Sequence, residues 1–558
     1  MDILDTNALS EGDGTLIGSL SQLPSISFSS NGGPGQAANL RIRGLNNSYI
    51  GVRFDGIDIT DPSGPQTSFN FGGFSTSGLG RIEVLKGSQS ALYGSEAVGG
   101  VIDIKTRRPT QLGFSGSGGL EAGSFGTLSG NLTLAQKGER GEIVLSYAQA
   151  HSDGISARSG DTERDGYDQK MASLTARYRV TDDVTLGTAL LWRDSKIAFD
   201  RSTTDNSGMN YVTQRGGRVF AEFTTGAISH ELSLSAFESE TRDPGGFTSY
   251  FRGKRQELRY LGSADLGGQS KLNFGLEHSR ESLLTSATTG AYDDNAVFAE
   301  LQTSPGADFD LSLAARYDDH SQFGGHWSGR LAGVWQIGSE TALRAVLSTG
   351  FRAPSLYEMF SAAGSPTLRP EQSRSAELGV ERHFGEAGVI KATVFYTEID
   401  NLIGFDGAAT ACGSGYGCYN QVPGTTVSKG VEFSGRYALD ARYTLFGNYS
   451  FTDARNKGAR LARVPMHDLV VGVEAAFNDR LSGRLAVQHV ADILPSPFAP
   501  AGNKVGDYTL VNVGLDFAVT KKATAYLRVD NLLNEDYETA GGYNMPGRAF
   551  AFGVRASF

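Results

Sequence analysis

The chain of 558 residues has only two cysteines, eight histidines and 16 prolines. No run approaches the 18 or more apolar residues that a membrane-crossing helix requires, which excludes a helical membrane protein. The histidines are scattered, and a zinc site would want four ligands where the two cysteines have no histidine nearby. Basic residues are also short: 50 Lys and Arg stand against 61 Asp and Glu, a net charge of −11. A nucleic-acid partner needs clustered cations, so that class is set aside. No GxSxG, HExxH, GxGxxG or P-loop pattern occurs, and no enzyme activity is expected. The opening Met1-Asp2-Ile3-Leu4-Asp5 has neither the basic start nor the apolar core of a signal peptide.

What the chain has in quantity is glycine (73), phenylalanine (31) and tyrosine (21). Aromatics along the whole length argue against disorder. Residues 1 to about 110 are rich in turns, among them Asn31-Gly-Gly-Pro-Gly35, Asp61-Pro-Ser-Gly-Pro65 and Phe71-Gly-Gly73. Between them lie short strand-like runs, Leu40–Arg43 and Arg81–Leu85, and a helix-like spacing over Thr15–Leu23 ending at Pro24. From about 111 the pattern is a sustained alternation of period two. Tyr443, Leu445, Gly447, Tyr449 and Phe451 share one face, with Thr444, Asn448 and Ser450 opposite. Phe550, Phe552, Val554, Ala556 and Phe558 repeat the pattern at the end of the chain. One such strand would suit a water-soluble sandwich. Held over more than 400 residues, it predicts an all-β transmembrane barrel. About 22 antiparallel strands fit the length of 111–558, and 16 would fit with longer loops. A lumen of 22 strands needs a plug, and residues 1–110 are of a size to be that α+β plug. Cys412 and Cys418 sit in a glycine-rich run and are expected to form a small disulfide, worth about 2 kcal/mol in the chain-entropy picture; two free thiols are the alternative.

Particular motifs narrow the family. Arg41-Ile-Arg-Gly44, Phe54-Asp-Gly-Ile57 and Arg81-Ile-Glu-Val-Leu-Lys-Gly-Ser-Gln-Ser-Ala-Leu-Tyr-Gly94, followed by Gly99-Gly-Val-Ile102, resemble the plug of TonB-dependent outer-membrane receptors. Gly350-Phe-Arg-Ala-Pro-Ser355, Leu368-Arg-Pro-Glu371, Lys429-Gly-Val-Glu432, Arg463-Val-Pro-Met-His467, Asp530-Asn-Leu-Leu-Asn534 and the terminal Phe558 resemble the barrel, in the family's order. The likeness covers essentially the whole chain. Within the family it is nearest to the cobalamin receptors, through Asn31-Gly-Gly-Pro-Gly-Gln36 and through Asp536-Tyr-Glu-Thr539, Gly542-Tyr543 and Pro546-Gly-Arg548.

The resemblance implies a monomeric active transporter in the outer membrane of a Gram-negative bacterium, surrounded by lipid and worked by the TonB energy-transducing complex. Its ligand would be cobalamin or another corrinoid, with a ferric siderophore or other metal chelate as the alternative. The chain then begins after the family's TonB box. By position, Asn31, Gln36 and Ala37 in one plug loop and Ser63, Gly64, Pro65 and Gln66 in a second would face the ligand. A calcium site would draw on acidic loops, from Asp153, Asp161, Glu163, Asp165 and Asp168 with Asp194, Asp200 and Asp205; a solvated acidic loop is the other reading. Arg43, Arg81 and Lys86 of the plug would pair with Glu377 and Glu432 of the wall.

Overall fold

Whether alternation closes a wall or stacks two sheets depends on what its apolar face meets. A computed structural model of the protein describes residues 1–158, 161–202, 204–495 and 505–558. Its wall is a closed antiparallel barrel of 22 strands, from Gly113–Gly123 to Ala549–Ser557. The seam closes where the last strand pairs with the first, Ala551 opposite Gly123 and Ser557 opposite Ser117. Large apolar side chains such as Leu120, Leu186, Leu232, Leu276 and Phe552 point outward and are exposed, while Ser146, Ser173, Ser195, Ser233 and Ser375 point inward and are buried. That distribution inverts a soluble protein's, as a wall bathed in hydrocarbon requires.

Several wall glycines face an aromatic ring on the adjacent strand: Gly187 opposite Phe220, Gly262 opposite Phe274 and Gly472 opposite Phe446. A Cβ at any of these positions would collide with the ring. The missing side chain lets the ring lie flat on the wall, and Arg218 and Arg484 then stack on Phe220 and Phe446, each 4.4 Å from the ring centre.

Connections alternate in length. Turns such as 138–140, 180–183 and 226–227 mark one end, and loops such as 243–249, 353–370, 401–425 and 531–548 the other. Cys412 and Cys418 are joined by a disulfide within the long loop 401–425.

Inside the barrel sits a five-stranded mixed sheet, in spatial order Asp2–Asp5, Leu79–Lys86, Gly100–Thr106, Ile50–Phe54 and Ile57–Asp58. Its core gathers Leu40, Ile42, Val52, Phe54, Phe69, Phe71, Phe74, Ile82 and Ile104, with Met171, Leu191 and Phe237 of the wall packed onto it. The helix-like spacing becomes a helix over Leu16–Leu20, capped by the Thr15 hydroxyl, which accepts from the Gly18 amide. A separate hairpin, Ile26–Ser30 with Ala38–Ile42, carries the first glycine-rich loop toward the long-loop end.

Candidate functional site

Two plug loops rise toward the long-loop end, and neither tip carries a charge. The first, 31–37, is closed by the Asn31 amide donating to the Ala37 carbonyl at 3.1 Å. Pro34 and Ala37 are exposed and Asn31 is half-buried. Gly32 has φ +133°, and a side chain there would run into Ala157, so its absence lets a wall loop close over the tip. The second loop is pinned by Asp61, which accepts from the Ser63 amide at 2.8 Å and the Ser63 hydroxyl at 2.6 Å. Pro65 is exposed, with Gly64 and Gln66 half-buried beside it.

Two expected ligand contacts turn inward instead. Gln36 is 2 % exposed and donates its amide to the Ala198 carbonyl of the wall at 2.6 Å. Ser63 is fully buried in its turn with Asp61. The Gln36 amide nitrogen and the Ser63 hydroxyl are thus engaged by the protein itself.

A short helix unforeseen in the sequence, Leu356–Phe360, lies over the second loop. Ser355 and Glu358 form a reciprocal capping box at its start. The Ser355 hydroxyl donates to the Pro65 carbonyl at 3.3 Å, and Gln66 donates to Glu358 at 3.5 Å. Arg352 holds the helix in place, bonding Glu358 at 3.1 Å and Glu371 at 2.7 Å. Ser355-x-x-Glu358 after Pro354 was the legible signal for this helix.

Ion pairs anchor the plug to the wall. Arg43 lies 2.8 Å from both Glu377 and Glu432, and Lys86 lies 2.8 Å from Asp2 and 3.7 Å from Glu432. Arg81 does not join them; it pairs with Glu83 of its own strand at 2.7 Å. The reason is strand parity: Ile82 and Val84 point into the plug core, which turns Arg81 and Glu83 to the other face. Two anchors escaped the sequence reading. Arg53 meets Glu257 at 3.0 Å, and Arg255 of the wall reaches Asp58 at 2.5 Å, Glu96 at 3.2 Å and Glu281.

The acidic loops divide. Asp161, Glu163 and Asp200 bring carboxylate oxygens within 4.8 Å of one another. Asp200 is 5 % exposed, and both of its oxygens are buried without a hydrogen-bond partner, as is one oxygen of Asp165. Burial and the neighbouring Asp165 hold the Asp200 carboxyl above its ordinary range. Orphaned buried carboxylate oxygens are what a hard cation would satisfy, so the residues present fit calcium. The remaining acids stand apart. Asp168 pairs with His151 at 2.7 Å, Asp153 with Arg164 at 3.3 Å, Asp205 accepts from Ser207 at 2.6 Å and Asp194 from Thr213 at 3.0 Å. Asp153, Asp168 and Asp194 alternate with inward residues and so face outward.

This cluster touches the first plug loop through short links. Asp165 accepts from the Ala157 amide at 2.8 Å, and Ala157 packs on Gly32. Asp200 follows by two residues the Ala198 carbonyl that holds Gln36.

Comparison with known proteins places these features in a family. The TonB-dependent receptor plug domain matches residues 5–101, and the TonB-dependent receptor-like β-barrel matches 107–532. The vitamin B12 transporter BtuB of Vibrio cholerae is 26 % identical, covering 97 % of this chain and 89 % of that one. The siderophore receptor PirA of Acinetobacter baumannii superimposes with a TM-score of 0.84 at 15 % identity, over 100 % of this chain and 98 % of that one. A variant of the ferric enterobactin receptor PfeA of Pseudomonas aeruginosa, in complex with enterobactin, gives 0.83 at 17 %, over 100 % and 99 %. A plugged barrel of 22 strands, matched along most of its length by both domains, belongs to the TonB-dependent receptors, transporters of the Gram-negative outer membrane.

Proposed function

We propose that this receptor binds and imports cobalamin or a related corrinoid. The uncharged tips of the plug loops carry the reading: Asn31, Pro34 and Ala37 in the first and Gly64, Pro65 and Gln66 in the second offer backbone and amide groups rather than a charge to oppose a ferric chelate. End-to-end likeness to the vitamin B12 transporters supports it. Ligand enters from the long-loop end and rests on Asn31, Ala37, Gly64, Pro65 and Gln66. The TonB complex, acting from the short-turn end on a single receptor chain, drives release inward. Selectivity lies in binding, since a passive pore cannot concentrate a scarce solute.

Calcium belongs to this proposal. Asp161, Glu163 and Asp200, with Asp165 beside them, would supply part of the six to eight oxygens that calcium takes. Holding the two loops together would fix Ala157 and Ala198 against the first plug loop.

The test is a titration of the purified receptor with cyanocobalamin and with a panel of ferric siderophores, with and without calcium. Saturable corrinoid binding that tightens at least tenfold with calcium is expected, and Asp200→Asn should abolish the tightening. Binding of a ferric siderophore with no affinity for any corrinoid overturns the ligand. Corrinoid binding indifferent to calcium overturns the metal alone.

A further inference from the structure

Beside the plug, under the first loop and along the barrel seam, lies a cavity of about 410 Å³. Its plug side is rich in glycine, over Gly12–Thr15, Gly32–Gln36 and Gly72–Gly73, with the side chains of Asp13, Gln22 and Phe28 among them. Its wall side presents Asn131, Gln488 and Asn512 from three strands, with Tyr526 and Tyr537 at the edge. Two glycines face it across the gap. A Cβ on Gly14 of the plug, or on Gly514 of the wall, would meet nothing within 4 Å. Empty space on both sides, in a lumen otherwise packed with arginines and rings, needs a reason.

The charged side chains about the cavity are engaged elsewhere: Asp13 accepts from the Thr15 amide at 2.8 Å and the Thr15 hydroxyl at 2.7 Å, and Arg484 stacks on Phe446. Arg528 bonds Glu121 at 3.1 Å and Asp530 at 2.9 Å, and Arg555 bonds Asp516 at 2.7 Å. The amides that remain toward the space are neutral. Asn131 is exposed within the lumen, Asn512 accepts only from the Asn531 amide at 2.9 Å, and Gln488 donates to Asp468 at 3.2 Å. An amide both donates and accepts, so three of them suit a partner bearing amides or hydroxyls rather than a charge. A void of this volume lies in the range that binds small molecules or part of a larger one.

We infer that this cavity is a second, interior ligand site, taking the amide-bearing rim of the transported molecule after it leaves the plug tips. The inference rests on the corrinoid reading for its ligand, since a corrin ring carries peripheral amides, but not for its location. The Gly32–Gln36 loop bounds both sites, so a ligand passes from one to the other by moving around a single glycine-rich turn.

Gly514→Phe tests it by projecting a ring into the cavity from a wall position where a Cβ meets nothing within 4 Å, and Gly514→Ala is the control for the substitution itself. The full-length receptor is expressed in Gram-negative cells lacking their own corrinoid receptor. Surface binding of cyanocobalamin is measured apart from its uptake. Gly514→Phe should bind within twofold of wild type and import at least tenfold more slowly, while Gly514→Ala imports normally. Replacing Asn512 by Leu should slow uptake several-fold, and by Gln should restore it. Normal uptake by Gly514→Phe overturns the inference. Loss of surface binding together with uptake also overturns it, because the cavity would then be part of the outer site. If the wild-type receptor binds no corrinoid, the ligand assignment fails by itself. The same variants are then read with the ferric siderophore that the titration identifies, and equal uptake by both overturns the interior site.

Discussion

The plug meets its barrel in two different ways on two sides. Toward strands Tyr250–Gly267, Glu371–His383 and Thr426–Ala438 it is held by buried ion pairs, with Arg43, Arg53, Asp58, Lys86 and Glu96 on the plug facing Glu257, Arg255, Glu377 and Glu432. Toward the seam, among the described residues, no plug–wall ion pair forms with strands Gly113–Gly123, Thr127–Lys137, Tyr508–Thr520 or Ala549–Ser557. Contacts there are single bonds to plug carbonyls, such as Arg555 to Ser10 at 2.9 Å. Buried pairs add little net stability but penalise displacement, because separating them strands a charge. The plug is thus fixed by charge on one side and left unpaired on the side that borders the cavity.

Breaking the fixed side should have the largest effect. Arg255→Met leaves the buried carboxylates of Asp58 and Glu281 without their cation and should cost about 3–5 kcal/mol, seen as a lower unfolding midpoint and as ion conductance in planar bilayers. Arg43→Met should cost less, about 2 kcal/mol, because Lys86 still stands near Glu432. The same assay reads both.

Acidity sharpens the contrast. Three carboxylates share the guanidinium of Arg255, and burial pushes Glu96 up to about 8 from an ordinary 4.5. A carboxyl raised on folding holds a proton that the unfolded chain gives up. Its contribution is therefore complete below pH 4.5 and lost as pH rises through 8. The unfolding midpoint should fall across that window, and Glu96→Gln should flatten the slope. A slope unchanged in Glu96→Gln would place the proton elsewhere. The smallest effect belongs to the open side: Asn512→Leu should cost about 1 kcal/mol, for the single hydrogen bond it accepts from the Asn531 amide.

Much of this architecture was legible beforehand, for stated reasons. Period-two alternation named the wall because Leu186 and Leu190 really do face outward beside inward Ser195. The tips at Pro34 and Pro65 were readable as turns, since proline fixes φ and glycine admits positive φ whatever surrounds them. Gln36 and Ser63 were not, because their burial depends on the Ala198 carbonyl and on Asp61 standing where they do. Arg43 and Arg81 look alike in sequence, yet Arg43 reaches the wall from a left-handed turn at φ +52° just past its strand, while strand parity points Arg81 to the other face. Arg255 was invisible for the same reason: a pairing between residues 58 and 255 has no signature in either segment.

The two-sided plug is most directly tested by hydrogen exchange on the intact receptor, comparing segments 12–23 and 31–37 with strands Ile50–Phe54 and Gly100–Thr106. Exchange at least a hundredfold faster in the first pair than in the second is predicted. Equal protection across all four would contradict a plug fixed on one side and open on the other.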